Sequence, residues 1–300
     1  MKTETITSAQ NPKIKNLLLL QEKSKARREQ GLFVVEGRRE LEHCIEAGYT
    51  VKTLFVCSDL WPEELLFPSA NKKADASGNN SSSGSIIIDQ NSAPSFFHHL
   101  THTEVPSSLM PSIIEVSEQV YHKIAYREGT EGIIAEVEYK SLTLEDLQLP
   151  ENPLVVVLES VEKPGNLGAV LRSADAAGAD AVLICDPLTD LYNPNLIRAS
   201  IGAVFTVPTV ATSSQEAIGF LKAKGIQILT AQLQDSSFYY DVDMRRGTAL
   251  VMGTESTGLT QAWREAADAH IRIPMLGRLD SLNVSVSTAI LLYEAVRQRQ

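Results

Sequence analysis

The chain has 300 residues, of which 43% are hydrophobic, and its formal net charge at pH 7 is −10. This length favours two domains over one core, and the negative charge argues against broad, non-specific binding to nucleic-acid phosphates. The chain has no apolar signal segment at its start and no stretch approaching the ~18 apolar residues of a membrane span. The sequence therefore predicts a cytoplasmic protein with no membrane partner.

The sequence of residues 1–140 predicts one small α/β domain. An apolar run, Leu17–Leu20, precedes charged residues and is typical of an amphipathic helix that ends at Gly31. Short strands and helices alternate after it: strands at 32–35, 51–56, 86–88, 113–114 and 132–137, and helices around 41–45 and 120. The Ser-, Asn- and Gly-rich run at 69–85 predicts a mobile insertion.

Positive charge is concentrated at the N-terminal end of this domain. Residues 1–40 hold nine basic and five acidic side chains, against the opposite balance in the whole chain. Two interpretations stay open: a solvated helix face, or a local patch that contacts phosphates. The predicted RNA-binding residues are Lys13, Lys15, Arg27, Arg28, Arg38 and Arg39.

After a linker predicted at 141–152, residues 153–300 alternate strand and helix much more strongly. Strands rich in Val, Ile and Leu predict a mostly parallel sheet with helices on both faces. The predicted strands are 154–158, 181–185, 206–210, 226–230, 249–252 and 270–273, and the predicted helices are about 167–177, one that Asn193 caps, one ending at 225, and 284–299.

Three junctions in this half are unusual. In parallel sheets, ligands bind beyond the carboxyl ends of strands, and residues 162–172, 250–259 and 271–287 all follow predicted strands. Glycines in each allow close backbone approach. Some polar residues in these junctions also have a purely structural interpretation. Asn166 is suited to cap a helix, and either Ser281 or Asn283 is suited to cap the last helix.

The motifs in these junctions are Asn-x-Gly-x-x-x-Arg at 166–172, Gly-x-Glu-x-x-Gly-Leu at 253–259, and Ile-Pro-Met at 273–275 with Ser-Leu-Asn-Val-Ser at 281–285. Their order and spacing closely resemble the three motifs of the SpoU-like (TrmH) RNA 2′-O-ribose methyltransferases of the SPOUT class. Residues 33–37 and 131–135 resemble, more loosely, the substrate-binding domain of that family, which is similar to ribosomal-protein-type RNA-binding folds.

The resemblance implies a deep trefoil knot within 153–300, a homodimer, and S-adenosylmethionine as methyl donor. It implies transfer of a methyl group to a ribose 2′-hydroxyl of structured RNA, with rRNA favoured over tRNA. The cofactor-binding residues it implies are Gly253, Ile273, Met275, Gly277 and Leu282. The catalytic residues it implies are Arg172, Asn166, Glu255, Ser281 and Asn283. Because a guanidinium is a poor proton acceptor, the predicted role of Arg172 is to orient the hydroxyl.

Other functions have weaker support in the sequence. A non-catalytic RNA-binding protein on the same fold stays open as the alternative, because fold alone does not establish activity. The Gly165-x-x-Gly168 spacing is not the dinucleotide-binding fingerprint, which argues against a nicotinamide-dependent enzyme. His98, His99 and His102 lack a metal-ligand partner, and the three cysteines are far apart, so we expect buried thiols and no metal.

Overall fold

The computed structural model describes residues 4–60, 111–126, 131–254 and 257–300. Four sequence predictions fall outside these residues: the insertion at 69–85, the strand at 86–88, the histidines at 98–102, and Glu255. Within the described parts of the chain, no helix is long and apolar enough to cross a membrane. The same parts hold no group of three or more metal-ligating side chains.

The first half of the chain forms a five-stranded mixed sheet. The elements of this half are β1 (Glu4–Ile6), α1 (Pro12–Glu22), α2 (Ser24–Gln30), β2 (Leu32–Glu36), α3 (Arg38–Glu46), β3 (Val51–Val56), β4 (Ser112–Val116), α4 (Glu118–Ile124) and β5 (Ile133–Glu138). The strand order is β1-β4-β3-β5-β2. β4 pairs in parallel with β1 and β3, whereas β5 pairs antiparallel with β2 and β3.

The single helix predicted before Gly31 is two helices. Lys23 adopts extended backbone angles between α1 and α2, and its N–H still closes α1 on the Leu19 carbonyl. Its own carbonyl then accepts the first bond of α2, from the Arg27 N–H. Gly31 ends α2 at φ 63°, as predicted, because glycine adopts this left-handed conformation at little cost.

The second half forms a seven-stranded sheet. The elements of this half are β6 (Leu154–Glu159), α5 (Pro164–Ala176), β7 (Ala181–Cys185), α6 (Pro194–Ser200), α7 (Ala203–Thr206), β8 (Thr209–Thr212), α8 (Ser214–Ala223), β9 (Gln227–Ala231), β10 (Ser237–Phe238), β11 (Thr248–Met252), α9 (Gln261–Ala266), β12 (Ala269–Arg272) and α10 (Val284–Arg299). The strand order is β10-β12-β9-β11-β6-β7-β8, and every pairing between these strands is parallel. The predicted mostly parallel sheet is therefore confirmed.

Helices cover both faces of this sheet, which explains the continuous apolar strands. Along β6, Val155 and Val157 pack in the core beneath α8 and α9, whereas Val156 and Leu158 pack in the core beneath α5, α6 and α10. The second of these cores continues into the first sheet, where the Phe33 ring stacks on the Tyr192 ring at 4.2 Å. The two sheets thus share one apolar core.

The strand predicted at 206–210 lies further along the chain. Residues 203–206 form α7, and β8 begins only at Thr209. Pro208 stands directly before β8, and because proline has no N–H it suits the start of a strand and not its interior. Asn193 caps α6, as predicted, by accepting from the Asn195 N–H.

All three cysteines are buried and free, as predicted. Burial raises the pKa of the Cys44 and Cys185 thiols well above the ordinary range, because the interior disfavours the thiolate. Desolvation also raises the pKa of the Cys57 thiol.

Candidate functional site

Three loops meet at one edge of the second sheet. They follow β9, β11 and β12, which are neighbours in the sheet, so the carboxyl ends of these parallel strands open on the same side. The loops surround a cavity of about 380 Å³. We call it the loop cavity; its lining includes residues 231–234, 252–254, 257–259, 271–273 and 280–282, with Arg264, Met275, Val284, Ser287 and Leu291.

The loop after β11 is closed so tightly that only glycine fits at its start. A Cβ on Gly253 would lie 2.4 Å from the carbonyl carbon of Gly258. Thr254 and Gly258 exchange two backbone hydrogen bonds of 3.2 Å, which hold the turn shut. The wall of the loop cavity at this point is consequently bare backbone, whose peptide groups can bond a ligand directly.

Gln232, in the loop after β9, carries the one buried side-chain acceptor without a hydrogen bond in the described part of the chain. Its Nε2 donates to the Gln234 carbonyl at 2.9 Å, which fixes the orientation of the amide and leaves Oε1 on the other side. A buried acceptor without a partner costs about 1–3 kcal/mol. A ligand in the loop cavity that brings an N–H or O–H donor would remove this cost.

Most of the predicted cofactor residues line the loop cavity. Gly253, Ile273, Met275 and Leu282 all do so, together with Ser281, which was predicted as catalytic. Gly277 does not: it is exposed, and a Cβ built on it meets nothing within 4 Å. The resemblance gave the loops after β11 and β12, but no motif marked the loop after β9.

Asn166 and Asn283 join the first junction to the third. Asn283 caps α10, because its Oδ1 accepts from the Ser285 N–H at 2.9 Å, and its Nδ2 donates to Asn166 Oδ1 at 3.1 Å. Asn283 is therefore the cap of the last helix, and Ser281 is not. Asn166 does not cap α5, since that helix begins at Pro164 with Lys163 as its N-cap.

Arg172 does not line the loop cavity of its own chain. It lies instead in a second, wider groove of about 870 Å³ between α3, α5 and α6. We call this the arginine groove, after Arg39, Arg172 and Arg198, which all line it. The two spaces approach each other at the start of α5, where Pro164 and Gly165 line the groove and the next residue bonds to Asn283.

The predicted RNA-binding residues are in different environments. Arg27 is 1% exposed, and its Nε pairs with the Asp190 carboxylate at 2.7 Å, so it does not belong to a surface patch. Lys13 and Arg38 are at the surface in ion pairs with acidic neighbours. Lys15, Arg28 and Arg39 are exposed.

Comparison with known proteins identifies the family. Residues 153–293 match the SpoU rRNA Methylase family, and residues 11–135 match the MRM3-like substrate binding domain. Over 175 residues the chain is 41% identical to the 23S rRNA (guanosine-2′-O-)-methyltransferase RlmB of Bordetella pertussis. The matched region covers 57% of this chain and 71% of that relative. The chain belongs to the SpoU rRNA methylase family.

Longer matches extend over both halves of the chain. A 23S rRNA (uridine(2479)-2′-O)-methyltransferase of Streptomyces viridochromogenes is 28% identical over 279 residues, 90% of this chain and 84% of the relative. The AdoMet-bound rRNA methyltransferase of Sinorhizobium meliloti superposes with a TM-score of 0.79 at 27% identity and covers all of both chains. The crystal structure of an RNA 2′-O ribose methyltransferase matches with a TM-score of 0.74 at 37% identity, over 98% of this chain and 99% of that one.

These relatives confirm three predictions made from the motifs: the family, an RNA 2′-O-methyltransferase activity, and S-adenosylmethionine as the methyl donor. The loop cavity fits such a donor. Its bare backbone at Gly253 can bond an adenine edge, and S-adenosylmethionine carries amino and hydroxyl donors that suit the acceptor on Gln232.

Proposed function

We propose that this protein transfers a methyl group from S-adenosylmethionine to a ribose 2′-hydroxyl of 23S rRNA. The observation that carries the proposal is the meeting of the loops after β9, β11 and β12 at one cavity, with the Asn166–Asn283 pair beside it. The choice of rRNA is supported by the names of the relatives from Bordetella pertussis and Streptomyces viridochromogenes. We propose that the protein acts in the cytoplasm, which an rRNA substrate supports.

In this proposal the backbone around Gly253, Ile273 and Leu282 holds the adenosine, and Met275 shapes the wall of the cavity. When bound, S-adenosylmethionine supplies an electrophilic methyl group on a sulfonium. We further propose that the chain after β11 forms a trefoil knot. Support comes from the sheet order, in which β12, the last strand in sequence, lies between β9 and β10 and not at an edge.

The remaining predicted residues act on the RNA. Arg172 orients the 2′-hydroxyl and stabilises negative charge that develops on its oxygen, and an RNA phosphate accepts the proton. Asn166 and Asn283 position the ribose, and Ser281 and Glu255 are the other catalytic residues of the proposal. Arg172 lines a groove separate from the loop cavity of its own chain, which supports a site completed by a second copy.

The proposed second copy would cover an apolar surface on the loop after β12 and on α10. Leu276 is 97% exposed and Leu279 is 80% exposed. Val286 and Tyr293, seven residues apart and so on one face of α10, are about half exposed. Exposed apolar side chains of this kind are found at association sites, and a homodimer would bury them.

The two sheets and the two family matches support a division into two domains. We propose a substrate-binding domain at 1–140 that resembles ribosomal-protein-type RNA-binding folds, a linker at 141–152, and a methyltransferase domain at 153–300. Lys13, Lys15, Arg28, Arg38 and Arg39 are the basic residues by which the first domain recruits RNA.

Transfer of tritiated methyl groups tests the proposal. The purified protein is incubated with labelled S-adenosylmethionine and either 23S rRNA or tRNA transcribed in vitro without modifications. We expect label in 23S rRNA and none in tRNA, and loss of the label with the Arg172→Ala variant. Label in tRNA alone would assign a different substrate, and no label in either RNA would contradict the activity.

A further inference from the structure

The arginine groove has features that the cofactor cavity does not explain. It is open, it lies between the two sheets, and its arginines come from both halves of the chain: Arg39 from α3, Arg172 from α5 and Arg198 from α6. We propose that this groove binds the sugar-phosphate backbone of the RNA strand next to the target nucleotide, with Arg198 as its anchor. The inference rests on the proposed function.

The groove presents three guanidinium groups. Arg39, Arg172 and Arg198 are exposed, and none of their guanidinium groups forms a hydrogen bond or ion pair with another residue in the ranges that the structure describes. By contrast, Arg38 is paired with Glu42 and Arg297 with Glu294. Three unneutralised guanidiniums in one groove attract a polyanion.

The groove also contains two carboxylates, fewer than its three guanidinium groups. Glu40 is only 3% exposed. Glu131 is exposed and accepts a hydrogen bond from the Arg38 backbone N–H, which holds its carboxylate at the start of α3. The lining of the groove therefore keeps a net positive charge.

Arg198 is held in position by an aromatic ring. Its guanidinium lies over the Tyr126 ring, with 5.1 Å from Cζ to the ring centroid, and Tyr126 is held by a 2.8 Å bond from its N–H to Glu36 Oε2. A cation–π contact uses the flat face of the guanidinium and leaves the N–H groups at its rim to bind phosphate oxygens. An arginine held in this way loses less entropy when it binds.

The groove reaches the proposed reaction site. Arg172, which orients the reacting 2′-hydroxyl in the proposed function, lines the groove, as do Pro164 and Gly165 at the start of the same helix. An RNA strand along the groove would reach the start of α5 and present its next ribose there. A single strand suits this path, because unpaired nucleotides are the usual targets of specific RNA recognition.

Charge reversal at Arg198 and Arg39 tests the inference. The dissociation constants of the full-length Arg198→Glu and Arg39→Glu variants for unmodified 23S rRNA and for a short single-stranded RNA are measured over a salt series. We expect about tenfold weaker binding at low salt for each variant, and a salt slope smaller by about 0.7 for each single-strand phosphate that the variant no longer neutralises. Lys222→Glu, on α8 at the opposite face of the sheet, is the matched control and should bind as the native protein does.

Calorimetric titration with S-adenosylmethionine and a melting curve accompany each variant, and both should match the native protein. If folded Arg198→Glu and Arg39→Glu proteins bind RNA with native affinity and native salt slope, the inference is overturned. If Arg198→Glu does not fold, Arg39→Glu decides alone, since its side chain is exposed on another helix. Weakened binding together with an absence of methyl transfer by the native protein would uphold the groove and refute the proposed function.

Discussion

Asn283 donates from Nδ2 to Asn166 Oδ1 at 3.1 Å while its own Oδ1 caps α10. One side chain therefore ends the loop after β12 and also connects it to α5, the helix that carries Arg172. The two motifs that contain these asparagines are more than a hundred residues apart in sequence, and this amide pair is where they touch.

The two tasks of Asn283 can be separated by substitution. Asn283→Asp keeps a side-chain acceptor for the cap, so the midpoint of urea unfolding should stay close to native. It removes the donor to Asn166, so kcat for methyl transfer should fall by about tenfold or more, since misplaced groups lose catalytic effect steeply.

Asn283→Ala removes both tasks, and we expect it to cost about 1 kcal/mol of stability in addition to activity. Full activity of a folded Asn283→Asp protein would show that the amide pair does not position the reacting groups.

Gly168 permits α5 to pack against α6. A Cβ at this position would lie 2.5 Å from Ala199 Cβ and 2.7 Å from the Ser200 backbone nitrogen. We expect Gly168→Ala to destabilise the protein by about 1–3 kcal/mol and to lower activity, because the helix that carries Arg172 must shift. Chemical denaturation measures the first effect, and methyl transfer the second.

Gly219→Ala is the matched control for this change. Gly219 is also in a helix, α8, but a Cβ there meets nothing within 4 Å. Alanine should stabilise that helix by about 0.5–1 kcal/mol. Equal effects of the two substitutions would contradict the close packing described for α5.

Arg27 and Arg28 are neighbours in sequence with different expected roles. Arg27 donates to the Leu20 carbonyl at 2.7 Å and pairs with Asp190, joining α2 to the second half of the chain. We expect Arg27→Ala to cost about 3–5 kcal/mol of stability, because it leaves a largely buried carboxylate without its partner. Arg28→Ala, at an exposed position, should keep native stability and weaken RNA binding. Unfolding curves and RNA affinities that show the reverse pattern would be evidence against this assignment.

Glu136 makes stability depend on pH. Burial within the first sheet raises the pKa of its carboxyl, and hydrogen bonds from Thr53 and Asn16 offset part of the rise. A carboxyl whose pKa is raised by folding stabilises the fold while protonated, and this contribution is lost as pH rises. Glu136→Gln should therefore gain stability relative to the native protein as pH rises from about 4 towards 7.

Urea midpoints at several pH values measure this gain. Glu138→Gln, in the same strand, is the control and should bring no such gain, because it breaks the surface ion pair with Lys52. A constant difference between Glu136→Gln and the native protein at every pH would contradict the account.

Local patterns in the sequence predicted much of this structure. Most of the apolar strands and the roles of Gly31 and Asn193 were predicted correctly, because their signals lie within a few residues. Arg27 was wrongly predicted to bind RNA, because the sequence of a basic run does not distinguish an exposed arginine from one in a buried ion pair. The partner of Arg27 in that pair, Asp190, is 163 residues away in the sequence. The break at Lys23 depends on packing that the local pattern does not contain.

The site, too, was predicted only in part. The family resemblance identified Gly253, Ile273 and Asn283, but the loop after β9 has no motif. It lines the cavity because β9 lies between β12 and β11 in the sheet. No sequence motif marked Arg198, because its proposed role depends on its contact with Tyr126 and on the two other arginines that line the groove. Such juxtapositions arise only when distant segments fold together.

The most direct measurement is the chemical identity of the product. Unmodified 23S rRNA is treated with the protein and S-adenosylmethionine, digested to nucleosides and analysed by mass spectrometry. We predict that one 2′-O-methylated nucleoside appears with the native protein and is absent with Arg172→Ala. A methyl group on a base, or no methylated nucleoside at saturating donor, would contradict the claim that these loops present a methyl donor to a ribose oxygen.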